Sequence, residues 1–194
     1  MRNRFILALA LAAASLAGSQ VYAQTSNWNI DPAHSSINFT VRHMGVSNVH
    51  GSLGSVKGTV VYDEKDITKS SVTATAETST VATGVDMRDQ DLKSPKFFDV
   101  TKYPQLSFKS TSLSNAGGKL TLTGDLTLNG VTKSVTLDVD GPAPPQTDAK
   151  GLTRSGFSAS GTLKRSDFNF GPKVPTAVVG DDIKFSIDVE IDKK

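Results

Sequence analysis

Along most of its length this chain alternates apolar and polar side chains with a period of two. In SINFTVRH, Ile37, Phe39, Val41 and His43 share one side, while Asn38, Thr40 and Arg42 share the other. In KLTLTGDLTLNGVTKSVTLDVD, Leu120, Leu122, Leu126 and Leu128 alternate with Thr121, Thr123, Asp125 and Thr127. Val131, Val135, Leu137 and Val139 then alternate with Thr132, Ser134, Thr136 and Asp138. Between those runs sits Asn129-Gly130. A two-residue type I′ turn demands positive φ at both central places, so the pair predicts a β-hairpin. The same period marks VKGTVVYD, SVTATAET, QLSFKST, SGFSASGTLKR and DIKFSIDVEID. About eight strands, each apolar on one face only, imply an antiparallel sheet with one solvated side. Gly58, Gly124 and Gly161 inside the runs predict bulges or bends that let the sheet curl. The expected fold class is therefore all-β, a closed antiparallel barrel in preference to a two-sheet sandwich, although the period alone does not separate the two.

One segment, GVDMRDQDLKSPKFFDVTKYPQL, breaks the period. It has an acidic start at Asp86, no β-branched run, and Met87 and Leu92 at helix-compatible spacing. A single short helix from Asp86 to Lys93 is predicted, ended by the bias that Pro95 places on Ser94. Phe97 and Phe98 follow, adjacent aromatics that cannot share one face of a strand. GPAPPQTDAKG is expected to be a mobile loop. No composition shift or repeat marks a second domain.

The first residues change the picture of charge and location. MRNRFILALALAAASLAGSQVYAQ has Arg2 and Arg4, an apolar run from Phe5 to Leu16, and small residues at Val21 and Ala23. That is the layout of a secretory signal peptide over residues 1–23, with an apolar run too short for a membrane span. One domain over 24–194 is then expected in the periplasm. Losing the two arginines takes the 21 basic residues to 19, against 19 acidic ones. A neutral chain gives no electrostatic case for nucleic acid. With no cysteine in the chain, disulfides, thiolate metal sites and a thiol nucleophile are excluded.

All three histidines, His34, His43 and His50, fall in DPAHSSINFTVRHMGVSNVHG. Their spacing offers neither His-x-His nor a helical i, i+4 pair, so no metal site is expected. No Gly-x-Ser-x-Gly, His-Glu-x-x-His, P-loop or Gly-x-Gly-x-x-Gly is present, so no catalytic residue is assigned. What remains is an apolar inner face. An eight-stranded barrel is near the size at which side chains either just fill the interior or leave room for one small ligand. Ala74, Ala76, Ala159 and Gly161 on that face favour a hollow interior. Three readings stay open at this point: a carrier of an apolar guest, a lipid-modifying hydrolase or isomerase, and a secreted interaction module with a filled core.

The blocks WNIDPAHSSINFTVRHMGVSNVHGSLGSVKG, MRDQDLKSPKFFDVTKYPQLSFKST, LTGDLTLNGVTKSVTL, RSGFSASGTLKRSDF and VGDDIKFSIDVEI occur in that order. Together they resemble the YceI family of bacterial polyisoprenoid-binding proteins, from about Trp28 to Lys194. The resemblance implies a lipocalin-like barrel whose elongated cavity holds a quinone-like or polyprenyl lipid. It implies no enzymatic activity, no cofactor beyond that lipid cargo, transient membrane contact for lipid exchange, and a homodimer. Candidate ligand-binding residues on the strands are Phe39, Val41, His43, Phe108, Leu122, Leu126, Phe157 and Phe185. To these the resemblance adds Arg88, Phe97, Phe98 and Phe168. Asp91 stands where the family usually has histidine, and Lys96 where an acid is common. Leu53 and Val56 replace expected aromatics. His43 is expected to face a ligand's polar group, His34 to fix the start of its strand, and Arg42 to pair with Asp89 or Asp99 outside the barrel.

Overall fold

A computed structural model describes residues 25–194; the leader expected over 1–23 lies outside them. The strands in chain order are β1 (Thr25–Ile30), β2 (Ser36–His43), β3 (Ser47–Leu53), β4 (Lys57–Asp63), β5 (Ser71–Glu77) and β6 (Gln105–Ala116). They continue with β7 (Lys119–Leu128), β8 (Val131–Asp140), β9 (Gln146–Thr147), β10 (Thr153–Lys164) and β11 (Val179–Lys193). One α-helix, α1, spans Asp86–Lys93, matching the predicted bounds.

Every pairing is antiparallel, and the ring β11-β1-β4-β5-β6-β7-β8-β10 closes through β10 on β11. This is a closed eight-stranded barrel. The β2-β3 hairpin extends it lengthwise: β11 pairs with β1 through Ile191–Lys193 and with β2 from Asp188 back to Val179. Closure removes the free edges of the eight-stranded ring that an open sheet would expose. Asn129 and Gly130 have φ of 52° and 74° and join β7 to β8 in the predicted turn.

Of the three strand glycines, Gly58 and Gly161 lie in unbroken register. The β6-β7 ladder shifts register between Ser110 and Ser112, opposite Gly124. Gly58 and Gly161 are therefore sites of close approach rather than bulges. A Cβ on Gly58 would overlap the Thr73 carbonyl, and one on Gly161 would lie 2.9 Å from the Phe185 ring. The proline-rich loop is pinned rather than free: Ala143 N donates to Gly156 O at 2.8 Å, and Ser155 Oγ donates to Ala143 O at 2.6 Å.

Residues 78–104 leave the barrel between β5 and β6 and carry α1. Buried Thr78 ties the neck of this excursion, its N–H donating to Pro104 O at 2.9 Å and its Oγ1 to Tyr103 O at 2.8 Å. Ser52 on β3 exchanges backbone hydrogen bonds with Ala82, so the excursion covers the wall where β3 has no other strand neighbour. Leu92 packs inward, but Met87 is 84% exposed. The helix turns 100° per residue, so five residues set these two about 140° apart and off a common face.

A second loop, 165–178, closes the same end. Arg165 is 3% exposed. Its Nε donates to Val179 O and Gly180 O, Nη1 to Phe170 O and Gly171 O, and Nη2 to Val174 O and Val179 O. One guanidinium thus satisfies three carbonyls of the loop and two at the start of β11, using the planar array of donors that lysine lacks. Arg165→Ala is expected to cost about 3 kcal/mol or more, because several buried carbonyls lose charged donors together. Arg165→Lys should recover little of it, as read by thermal and urea denaturation.

Candidate functional site

The barrel is hollow. A cavity of about 340 Å³ runs inside it from the α1 end, walled by inward positions of the strands together with Leu92, Phe97, Phe98 and Phe170. Among the described residues, only His43, Thr75, Arg88, Asp91 and Arg165 contribute polar side chains to its border. Of the twelve candidate wall residues named from sequence, only Phe168 is absent from this border. Phe168 is 1% exposed and buried in the cluster with Leu53, Val81, Phe98 and Leu128, beneath the wall. It ends a short 3-10 turn, Arg165–Phe168, which turns its ring into the protein. Phe170, which sequence reasoning missed, borders the cavity in its place. Its ring lies 4.6 Å from Phe98 and 5.4 Å from Phe97, near-perpendicular to the first and tilted to the second.

The interior is open because several phenylalanine rings lie along the wall. Phe39 covers Gly51 directly across the β2-β3 ladder, and Phe185 covers Gly161 directly across the β10-β11 ladder. Phe108 covers Gly124 diagonally across β6-β7. At each glycine a Cβ would overlap or crowd the ring. Absence of that one carbon gives the ring a seat on the backbone, and the space it would otherwise fill stays empty. Gly124 and Gly161, read from sequence as bulges or bends, are the signal that was available for this arrangement, and Gly51 was not singled out.

The polar groups gather at the α1 end. His43 is the last residue of β2, on the inward parity of Ile37, Phe39 and Val41, and is half-buried. Its ring makes no hydrogen bond to another described residue, so it is not a histidine satisfied by the core. Arg88 is fixed: Nε donates to Thr83 Oγ1 at 2.7 Å and Nη2 to Thr83 O at 3.0 Å. Asp89 Oδ1 accepts from Thr83 N and Oγ1, which ties the start of α1 to the preceding loop. Asp91 and Lys96 are partners, with Nζ 3.1 Å and 3.2 Å from the two carboxylate oxygens. Ser94 and Pro95 turn the chain after α1 and bring them together. Arg42 does not reach Asp89 or Asp99. It instead clasps the β2-β3 turn, donating to Asn48 Oδ1 at 3.2 Å and Gly45 O at 2.8 Å.

The other two histidines face elsewhere. His50 meets Thr40 on the outer face at 3.0 Å. His34 Nδ1 lies 2.6 Å from Asp31 Oδ2 in the β1-β2 connection. Asp31, His34 and Glu190 form the one group of three carboxylate or imidazole ligands within mutual reach among the described residues. Arg154 already supplies a cation there, its Nε 3.2 Å from Glu190 and 3.3 Å from Asp192. The hydrogen bond from His34 holds Asp31 below the ordinary carboxylate value, helped by the Ala33 N–H. The same bond raises His34 above its ordinary value.

A closed β-barrel with an internal apolar cavity and a few polar groups at one mouth is the architecture of a small-molecule binder. Residues 28–191 match the model of the YceI-like domain, and the chain belongs to that family. Protein YceI of Shigella flexneri is 41% identical over 163 residues, covering 83% of this chain and 85% of that protein. Protein YceI of Salmonella arizonae is 39% identical over 158 residues, 80% and 82% of the two chains. Among solved structures, Burkholderia cenocepacia BcnA superposes with a TM-score of 0.72 at 26% identity, over 83% of this chain and 98% of that one. The Campylobacter jejuni YceI protein gives 0.70 at 30%, over 79% and 90%. A polyisoprenoid-binding domain from Saccharophagus degradans shares the fold at TM-score 0.63 and 13% identity.

Two outcomes test this geometry. Gly161→Ala should push the Phe185 ring into the lumen, lowering affinity for an apolar probe about tenfold or more with only a modest fall in Tm. A crystal structure of the variant would show the displaced ring. For the Asp31–His34 pair, the raised His34 contributes stability that is full below 6.5 and lost as pH rises through its folded value. The depressed Asp31 contributes stability that is full above 3.8 and lost as pH falls through its folded value. His34→Gln should therefore lower Tm most between those two values and less at pH values well above or well below them.

Proposed function

We propose that this chain is an exported, periplasmic carrier of a polyisoprenoid lipid, either quinone-like or polyprenyl, held in the barrel cavity. The single observation that carries the reading is the lumen itself, apolar along its length and polar only toward one mouth. Each CH₂ group moved from water into such a wall contributes about 0.8 kcal/mol, so a long hydrocarbon binds tightly with few polar contacts. Membership of the YceI-like family, and the Saccharophagus domain's description as polyisoprenoid-binding, support the class of guest. His43, unpartnered beside Arg88 and Asp91 at the mouth, is suited to hydrogen-bond a carbonyl, phenol or other head group.

Exchange with a bilayer takes place at the same end. The exposed large apolar residues cluster there: Met44 and Val46 on the β2-β3 turn, Val178 beside Met44, and Val85 and Met87 at the start of α1. Met44 has φ of 49° and is 61% exposed, at a turn position that Asn, Asp or Gly normally fills. Native mass spectrometry of protein purified from cells should show a bound mass that organic extraction recovers as a prenyl chain. Protein that is always empty and takes up no lipid would end the carrier reading. His43→Ala should weaken a head-group-bearing lipid about tenfold and leave a bare hydrocarbon unaffected. Turnover of the lipid that disappears in this variant would favour the lipid-modifying enzyme instead.

A further inference from the structure

A second apolar cavity, of about 190 Å³, lies at the barrel end opposite α1. Trp28, Val60, Leu120, Val139 and Ile191 contribute its walls, and the loop from Pro142 to Pro145 closes it. That loop is held across the opening by the paired bonds of Ala143 to Gly156 and Ser155. Nothing in the head-group mouth reaches this chamber. Of its polar neighbours, Ser155 has already spent its hydroxyl on Ala143.

Three residues border both cavities: Val72 on β5, Leu122 on β7 and Phe157 on β10. They differ in freedom. Leu122 is 4% exposed and locked in a cluster with Leu137 and Ala159. Val72 is β-branched and stiff at χ1. Phe157 is the largest of the three and is only partly buried, with open volume on either side.

We propose that Phe157 is the partition between the chambers and sets the length of prenyl chain the barrel accepts. Tails that stop short of the ring occupy the main cavity alone. Longer tails displace the ring and place their hydrocarbon end in the second chamber, against Trp28 and the proline loop. On β7 that chamber adds the stretch from Leu122 to Leu120, about 7 Å at the rise of an antiparallel strand. This is enough for roughly one further prenyl unit. The inference rests on the carrier reading above and extends it from the class of guest to its length.

The test uses the mature full-length chain and a graded series of all-trans prenyl alcohols, with affinity measured by competition against one fluorescent apolar probe. Wild type should show a break in affinity at one chain length. Phe157→Ala should move the break to longer chains by a prenyl unit or more, raising the affinity for those chains relative to the shortest tenfold or more. Phe157→Trp should move it to shorter chains. Phe157→Leu, which keeps an apolar filler, should shift it in the direction of Ala and serves if the alanine variant does not fold. Folded variants that still bind prenyl chains yet keep the wild-type length profile would overturn the partition and leave the carrier reading intact. A wild-type protein that binds no chain of any length would overturn both.

Discussion

In an eight-stranded barrel the interior is close to the volume that inward side chains can occupy by themselves. This molecule has phenylalanines enough to plug it, and where their rings lie decides whether there is a cavity. A ring that projects radially closes the lumen; a ring laid on bare backbone becomes part of the wall. Phe39 over Gly51, Phe108 over Gly124 and Phe185 over Gly161 are of the second kind. Interiors are packed densely enough that one missing carbon determines where a ring can rest. The cavity is thus built from pairs, each a large residue made flat by a neighbour with no side chain.

The α1 end is organised differently, by polar anchors instead of ladders. Thr78 closes the neck of the excursion, Thr83 receives Arg88 and binds Asp89, and Arg165 ties three carbonyls of the 165–178 loop to the start of β11. Each group satisfies backbone that the strands no longer pair. This leaves the mouth ordered while keeping His43 and Asp91 at its border. Fixed main chain around an unpartnered ring is an arrangement suited to orienting a guest.

Much of the fold was legible in the sequence because strand parity is a local property. The alternation of Leu120 to Leu128, and of Ile183 to Ile191, carries the inner face in the order of residues alone. The helix bounds were legible from Asp86 and Pro95, and the β7-β8 turn from Asn129-Gly130. Other features depend on partners distant in the chain. Gly161 reads as a bend until Phe185 is placed across from it. Arg165 gives no sequence signal of its partners, since they are carbonyls. Asp91 and Lys96 look like two separate departures until the turn at Ser94 and Pro95 joins them. Phe168 and Phe170 are told apart only by the 3-10 turn that buries the first and leaves the second at the cavity.

The excursion over 78–104 leaves and re-enters the barrel at almost one point, since Thr78 bonds directly to Tyr103 and Pro104. Its interior can therefore lengthen, shorten or change composition without moving the ends of β5 and β6, and loop closure grows only slowly in cost with length. The barrel and the cap over its mouth are in this sense separable inheritances. Evolution can retune what the entrance recognises by exchanging one cassette, while the greasy tube behind it is kept unaltered.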